Sequence, residues 1–226
     1  ISLCCLGTDA GPLDRHAGPA RVAHAMQRRA HELDPTRLCT AAVNAHFEIP
    51  CAQAGSPNAD NQCMVPDFGP SLDVMGFNYN LGRIDQYHKD HPNQPLIGTE
   101  IASPTCTRGI YSTDKLRTWL SSYNDVDPGT VERMKKGQEQ WEHWSGVSWW
   151  QFYNARPWLS GGFAWTGFDY RGEPSPYGWP SISSQFGIVD TCGFPKDTYF
   201  YYKAWWGNEP VVHLLPHWNW SGREGE

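Results

Sequence analysis

The sequence contains no run of basic residues. Its 18 Lys and Arg are outnumbered by 24 Asp and Glu, for a formal net charge of −6, so no stretch can track a phosphate backbone and nucleic acid is not an expected partner. Long apolar runs are missing as well: nothing approaches the roughly 20 residues of a membrane span. The first residues form neither a basic leader nor a small-residue cleavage site, so no targeting segment or membrane anchor is expected. Cysteine is sparse and irregular. Seven residues with no pair of CxxC units support neither a disulfide framework nor a zinc site; Cys51 and Cys63, flanking a Pro/Asn/Gly-rich loop, are the one pair to consider as bridged. There is no GxGxxG and no phosphate-binding loop, and no Trp occurs before Trp119 although the chain has 12.

What is present is alternation. Ile1 to Leu6 is an apolar, strand-like run without a polar lead-in, which reads as a start inside a fold. Pro19 stands where a first helical turn would begin, and Val22, Met26, Ala30 and Leu33 recur at helical spacing up to Asp34-Pro35. Leu38 to Asn44 predicts a strand, and His46 to Pro70 a long loop. Asp73 to Tyr79 predicts a third strand, Arg83 to His91 a short helix and Pro95 to Glu100 a fourth strand. Further on, Asp114 to Tyr123 and parts of Thr130 to Arg156 read as helical, Gly161 to Gly167 as a strand, Lys196 to Trp206 as a helix and Val211 to Leu215 as a terminal strand.

Strands alternating with helices predict a parallel sheet with crossover connections. The strands are apolar along their length and end in Asn78-Tyr79, Glu100 or Trp165-Thr166, which gathers polar groups at one rim. In a (β/α)8 barrel that rim is the carboxyl-terminal face, where active sites sit. A doubly wound sheet would use it only at the switch point. The expected fold class is therefore α/β, a (β/α)8 TIM barrel, apparently incomplete, with about strands 4 to 8 present.

Four ordered segments carry a resemblance: Asp73 to Tyr79 (DVMGFNY), Pro95 to Glu100 (PLIGTE), Gly161 to Tyr170 (GGFAWTGFDY) and Phe186 to Lys196 (FGIVDTCGFPK). Together they resemble glycoside hydrolase family 2, the β-galactosidase, β-mannosidase and β-glucuronidase family. The resemblance divides the chain into residues 1–215, part of a catalytic barrel, and residues 216–226, an exit segment toward a β-sandwich domain outside the chain. It implies a retaining β-glycosidase, most like a β-galactosidase, with Glu100 as nucleophile and Tyr79 donating its hydroxyl toward it. It also implies a sugar site that includes Asn78, Trp165, Asp169 and Arg171. The implied partner is a carbohydrate, a β-galactoside, with a mannoside or glucuronide as alternatives; homo-oligomers could form through the domains outside the chain. No cofactor is implied, and no metal-ligand set is named.

The second acid of the mechanism falls in the resemblance at Asp9. The family pattern Trp-Ser-Ile/Leu-Gly-Asn-Glu reads here Cys4-Cys5-Leu6-Gly7-Thr8-Asp9, so the amide becomes a hydroxyl and the acid loses a methylene. A carboxyl displaced by about 1 Å can cost on the order of 100-fold, which keeps open a catalytically impaired, sugar-binding homologue. Bland readings complete the picture. Trp149-Trp150 and Trp205-Trp206 read as packing, His24 and His31 as one exposed helix face, His88 and His91 as a solvated face, and Asp169 with Arg171 could form a plain ion pair.

Overall fold

The computed structural model describes residues 3–5, 18–43, 69–79, 81–122, 146–174 and 177–219. The chain divides into two compact units: residues 1–101 with 152–163, and residues 102–151 with 164–226.

The first unit is built on a sheet in strict chain order. Strand β1 (Leu3–Cys5) lies beside β2 (Leu38–Val43), then β3 (Val74–Asn78) and β4 (Leu96–Ile101), with β5 (Leu159–Ala164) beside β4. β1 to β4 are parallel, with Leu3 opposite Leu38, Thr40 opposite Val74 and Met75 opposite Leu96. Two helices connect them: α1 (Gly18–Leu33) and α2 (Leu81–Asp90). Every residue of β3 is buried, as are Cys39 to Val43 of β2, which is how strands covered on both faces read. Phe77, Met75, Leu96, Ile101 and Ile84 are fully buried, each such side chain contributing roughly 1.5–3 kcal/mol. Gly76 is required for this packing, because a Cβ there would lie 2.3 Å from the Ala41 carbonyl oxygen and 2.7 Å from Thr99 Cγ2.

α1 starts and stops where the sequence predicts, but its buried side differs. Val22, Met26 and Leu33 are exposed, whereas Ala23 is buried and Gln27 and His31 reach Asp73. The helix docks through a small residue and a polar pair rather than through its larger apolar side chains. α2 follows its pattern, burying Leu81, Ile84 and Tyr87.

In the second unit, α3 (Gly146–Asn154, of which residues through Gln151 belong here) and α4 (Asp197–Trp206) meet through aromatic rings. Trp149 is fully buried and donates its indole N–H to the Tyr202 hydroxyl at 2.7 Å. Tyr202 stacks on Trp206 at 4.6 Å, with an interplanar angle of 5°. The part of the predicted helical stretch from Thr130 to Ser145 lies outside the described residues.

Two expectations fail in this unit. Asp114 to Ser122 is not a helix but a tight antiparallel turn, in which Asp114 and Trp119 exchange backbone hydrogen bonds of 3.0 and 2.9 Å. The cause is the Asp114 carboxylate, which accepts the Leu116 and Arg117 N–H groups and closes a local turn in competition with helix. Residues Val211 to Leu215 form no strand. His213 instead stacks on Phe200 and reaches Asp197 at 2.7 Å, while Val212 and Leu214 face solvent.

Candidate active site

β3 and β4 are neighbours; β3 ends in Asn78, and β4 carries Glu100 as its last residue but one. Their register shifts between Phe77 and Asn78, so that Asn78 lies opposite Glu100. The next residue, Tyr79, has φ +56°, and Ala102, just past β4, has φ +52°. Left-handed backbone at a residue with a Cβ costs of order 1 kcal/mol. It turns the chain out of the sheet plane as β3 ends, and the Tyr79 N–H remains bonded to the Glu100 carbonyl at 2.8 Å.

The consequence is a convergence on one carboxylate. The Tyr79 hydroxyl donates to Glu100 Oε1 at 2.5 Å, and the Asn78 amide donates from Nδ2 to Oε2 at 3.3 Å. Asn78 is fully buried, and its amide has a defined orientation because the Thr99 hydroxyl donates to its Oδ1 at 2.8 Å. With the carbonyl oxygen occupied in that way, the NH2 group faces Glu100. Both of these donors are neutral groups. Glu100 itself is half-buried and lies within β4.

Behind β4 stands Tyr153 from α3, buried within the first unit. A Cβ on Gly98 would come within 2.4 Å of the Tyr153 hydroxyl oxygen, and one on Gly162 would meet Ile101 Cδ1 at 2.3 Å. Burial drives the Tyr153 phenol pKa well above its ordinary value, so the hydroxyl is neutral at any working pH. The two glycines let β4 and β5 close around this ring.

A second carboxylate centre lies in the other unit. Asp169 accepts the Gly187 N–H at 2.7 Å and is paired with the Lys196 ammonium at 2.9 Å. Lys196 is wholly enclosed and also donates to the carbonyls of Cys106, at 2.8 Å, and Gln185, at 3.1 Å. Burial pushes the Asp169 carboxyl up, and Lys196 and the Gly187 N–H pull against that shift. Asp169 therefore pairs with Lys196, while Arg171 is exposed and bridges Ser183 through its backbone. Trp165, just past β5 and half-buried, packs edge-on against Tyr170 at 6.0 Å. Asp9 lies outside the described residues, as do Cys51 and Cys63.

Sequence reasoning passed over two residues. Thr99 precedes Glu100 and orients Asn78, and an alternating strand offers no signal for a hydroxyl that bonds sideways to a neighbouring strand. Lys196 ends the last resembling segment, and only its enclosure reveals it as the counter-ion of Asp169.

No family model matches the chain. The chain is 37% identical over 193 residues to a β-galactosidase, BoGH2A, of Bacteroides ovatus; the match covers 84% of this chain and 21% of that protein. The chain thus spans about a fifth of the length of this curated relative. Among solved structures it is similar to an FMN-binding β-glucuronidase from Faecalibacterium prausnitzii L2-6, with a TM-score of 0.63, 20% identity, and coverage of 94% of this chain and 30% of that one. It is also similar to a glycosyl hydrolase family 2 member from Bacteroides cellulosilyticus DSM 14838, with a TM-score of 0.57, 21% identity, and coverage of 99% of this chain and 24% of that one.

Proposed function

Because the chain belongs to glycoside hydrolase family 2, we propose that it forms part of the catalytic barrel of a retaining β-glycosidase whose nucleophile is Glu100. The parallel strands in chain order are compatible with a segment of a (β/α)8 barrel, with residues 1–215 in the barrel and 216–226 leading out of it. The observation that carries the reading is the convergence of the Tyr79 hydroxyl and the Asn78 amide on the two oxygens of Glu100. A carboxylate that must attack carbon needs its direction set, and two donors on adjacent strand ends provide that.

The chemistry follows from that arrangement. One oxygen of Glu100 attacks the anomeric carbon as the bond to the departing oxygen breaks, and the departing oxygen takes a proton from a second carboxylic acid. The glycosyl ester so formed is cleaved by water, whose proton returns to the second acid. As the ester bond forms, negative charge leaves the attacking oxygen, and the hydrogen bond that restrained it weakens. Asp9 is assigned as the second acid. The family resemblance alone proposes Trp165, as a flat apolar face for a pyranose, and Arg171 as sugar-binding residues. Asp169 shapes that loop through Lys196.

The substrate assigned is a terminal β-D-galactoside, in keeping with the name of the Bacteroides ovatus relative; the β-glucuronidase named among the similar structures supports a β-glucuronide as the second choice. A sugar-binding homologue without turnover is favoured only by Thr8-Asp9 standing where the family pattern has Asn-Glu. Incubating the full-length protein with an activated 2-deoxy-2-fluoro-β-galactoside tests the assignment. Covalent label on the peptide containing Glu100 is expected. Label on another acid, or tight binding without label, overturns it.

A further inference from the structure

His31, Cys39 and Asp73 come together at the end of the sheet opposite Glu100. Cys39 is the second residue of β2, Asp73 immediately precedes β3, and His31 lies in the last turn of α1. One donor atom of each residue lies within 4.8 Å of the other two. His31 Nε2 stands 2.8 Å from Asp73 Oδ2, which also accepts the Cys39 N–H at 2.7 Å, and Gln27 Nε2 donates to Oδ1 at 2.9 Å. Cys39 is wholly buried and not disulfide-bonded. The His31 and Asp73 side chains remain 37% and 22% exposed, and a cavity of about 480 Å³ lined by His24, Gln27, Arg28, His31, Glu32 and Ser71 opens beside them.

Asp73 alone would suffice to tie α1 to the two strands. With an imidazole and a thiol brought to the same carboxylate, the group acquires a nitrogen, a sulfur and an oxygen ligand, the mixed set that suits a borderline-soft divalent ion. We propose that His31, Cys39 and Asp73 bind a zinc ion, with a water from the adjoining cavity as the fourth ligand. Zinc takes such ligands at about 2.0–2.3 Å, and the tetrahedral geometry asks the His31–Asp73 separation to open to about 3.3 Å while the thiol turns inward. Charge balances: the neutral imidazole, the thiolate and the carboxylate together carry −2 against the ion's +2, and the thiol proton leaves to solvent on binding. Gln27 keeps its hydrogen bond to Oδ1 and orients the carboxylate from outside the ligand set. The three ligands come from three separate elements, so no short spacing marks the site, and the His24 and His31 face that reads as plain solvated helix is the wall of its entrance. The ion ties α1 to the starts of β2 and β3, away from the end of the sheet that bears Glu100.

Cobalt(II) titration of the full-length protein, purified without chelator or zinc, tests the proposal, with zinc used to displace it. One cobalt per chain is expected, with a thiolate-to-cobalt charge-transfer band that zinc abolishes. Cys39→Ser should remove the band, and His31→Gln should weaken cobalt binding by at least about tenfold. Cys192→Ser, at an exposed thiol, should change neither. Because His31 is half-exposed on a helix, its variant keeps the test valid should Cys39→Ser fail to fold. No charge-transfer band in the wild type, a band that survives Cys39→Ser, or affinity unchanged in His31→Gln overturns the site.

Discussion

Glu100 and Asp169 are both half-buried carboxylates at or next to the ends of resembling segments, yet the described partners of the two differ in charge. Glu100 is held by a phenol and an amide, and Asp169 by an enclosed ammonium and a backbone N–H. Neutral donors fix a carboxylate's direction and leave its charge to react. A buried cation consumes that charge, and the pair becomes a clip that holds the Trp165–Tyr170 loop against Lys196. Burial and a hydrogen-bond network alone therefore do not distinguish the carboxylate proposed as nucleophile from one that serves as a structural clip.

The comparison makes unequal predictions for substitutions at its two poles. Glu100→Gln should abolish glycoside turnover, with a loss of about 10⁴-fold or more as for other essential nucleophiles, while leaving the melting temperature close to wild type. Lys196→Met should do the reverse in kind. It leaves Asp169 buried without its cation, at a cost of about 3–5 kcal/mol in stability, measurable by chemical denaturation. The double variant Lys196→Met/Asp169→Leu should recover much of that loss. If Lys196→Met alone is neutral in stability, Asp169 is not a clip and the contrast fails.

Tyr79→Phe sharpens the other side. Removing one neutral donor should lower kcat by about 10²-fold with little change in unfolding free energy, since the ring remains. A drop in stability without a drop in kcat would place Tyr79 among the packing residues. The smallest effect belongs to Asp85, whose carboxyl is held below its ordinary range chiefly by its hydrogen bond to Arg156, at 2.6 and 2.7 Å for the two oxygens, with burial opposing. A lowered folded-state pKa contributes stability that is present above the unfolded value of 3.8 and lost as the pH falls through the folded one. Asp85→Asn should therefore flatten the stability profile slightly below about pH 4, and leave activity at neutral pH unchanged.

The sequence made one half of this contrast visible and hid the other. An apolar run ending in an acid announces Glu100, and the second run ending in Asn78-Tyr79 announces its neighbours, because strand periodicity and strand ends are local properties. The helices α1, α2 and α4 and the strands β2 to β4 were legible for the same reason. The side of α1 that packs was not: Ala23, Gln27 and His31 are chosen by Asp73, which lies 42 residues beyond His31 in the chain. The turn at Asp114 differs from the helix expected there because an aspartate able to cap its own turn closes it locally. Lys196 was opaque for a deeper reason, since a lysine at the start of a helix is ordinarily solvated and only tertiary enclosure reverses that. Asp9 was reached by resemblance alone, and its role rests on the proposed mechanism.

The proposed role of Glu100 is to react, its neighbours only aiming it. It is tested most directly by the Glu100→Ala variant of the full-length protein, given an aryl β-galactoside with a good leaving group in the presence of azide. If Glu100 is the nucleophile, azide enters the space it vacates and attacks the opposite face of the sugar, giving the α-galactosyl azide and restoring aglycone release. A β-configured azide would make Glu100 the acid instead, and turnover undiminished without azide would remove it from the chemistry; either result contradicts the account.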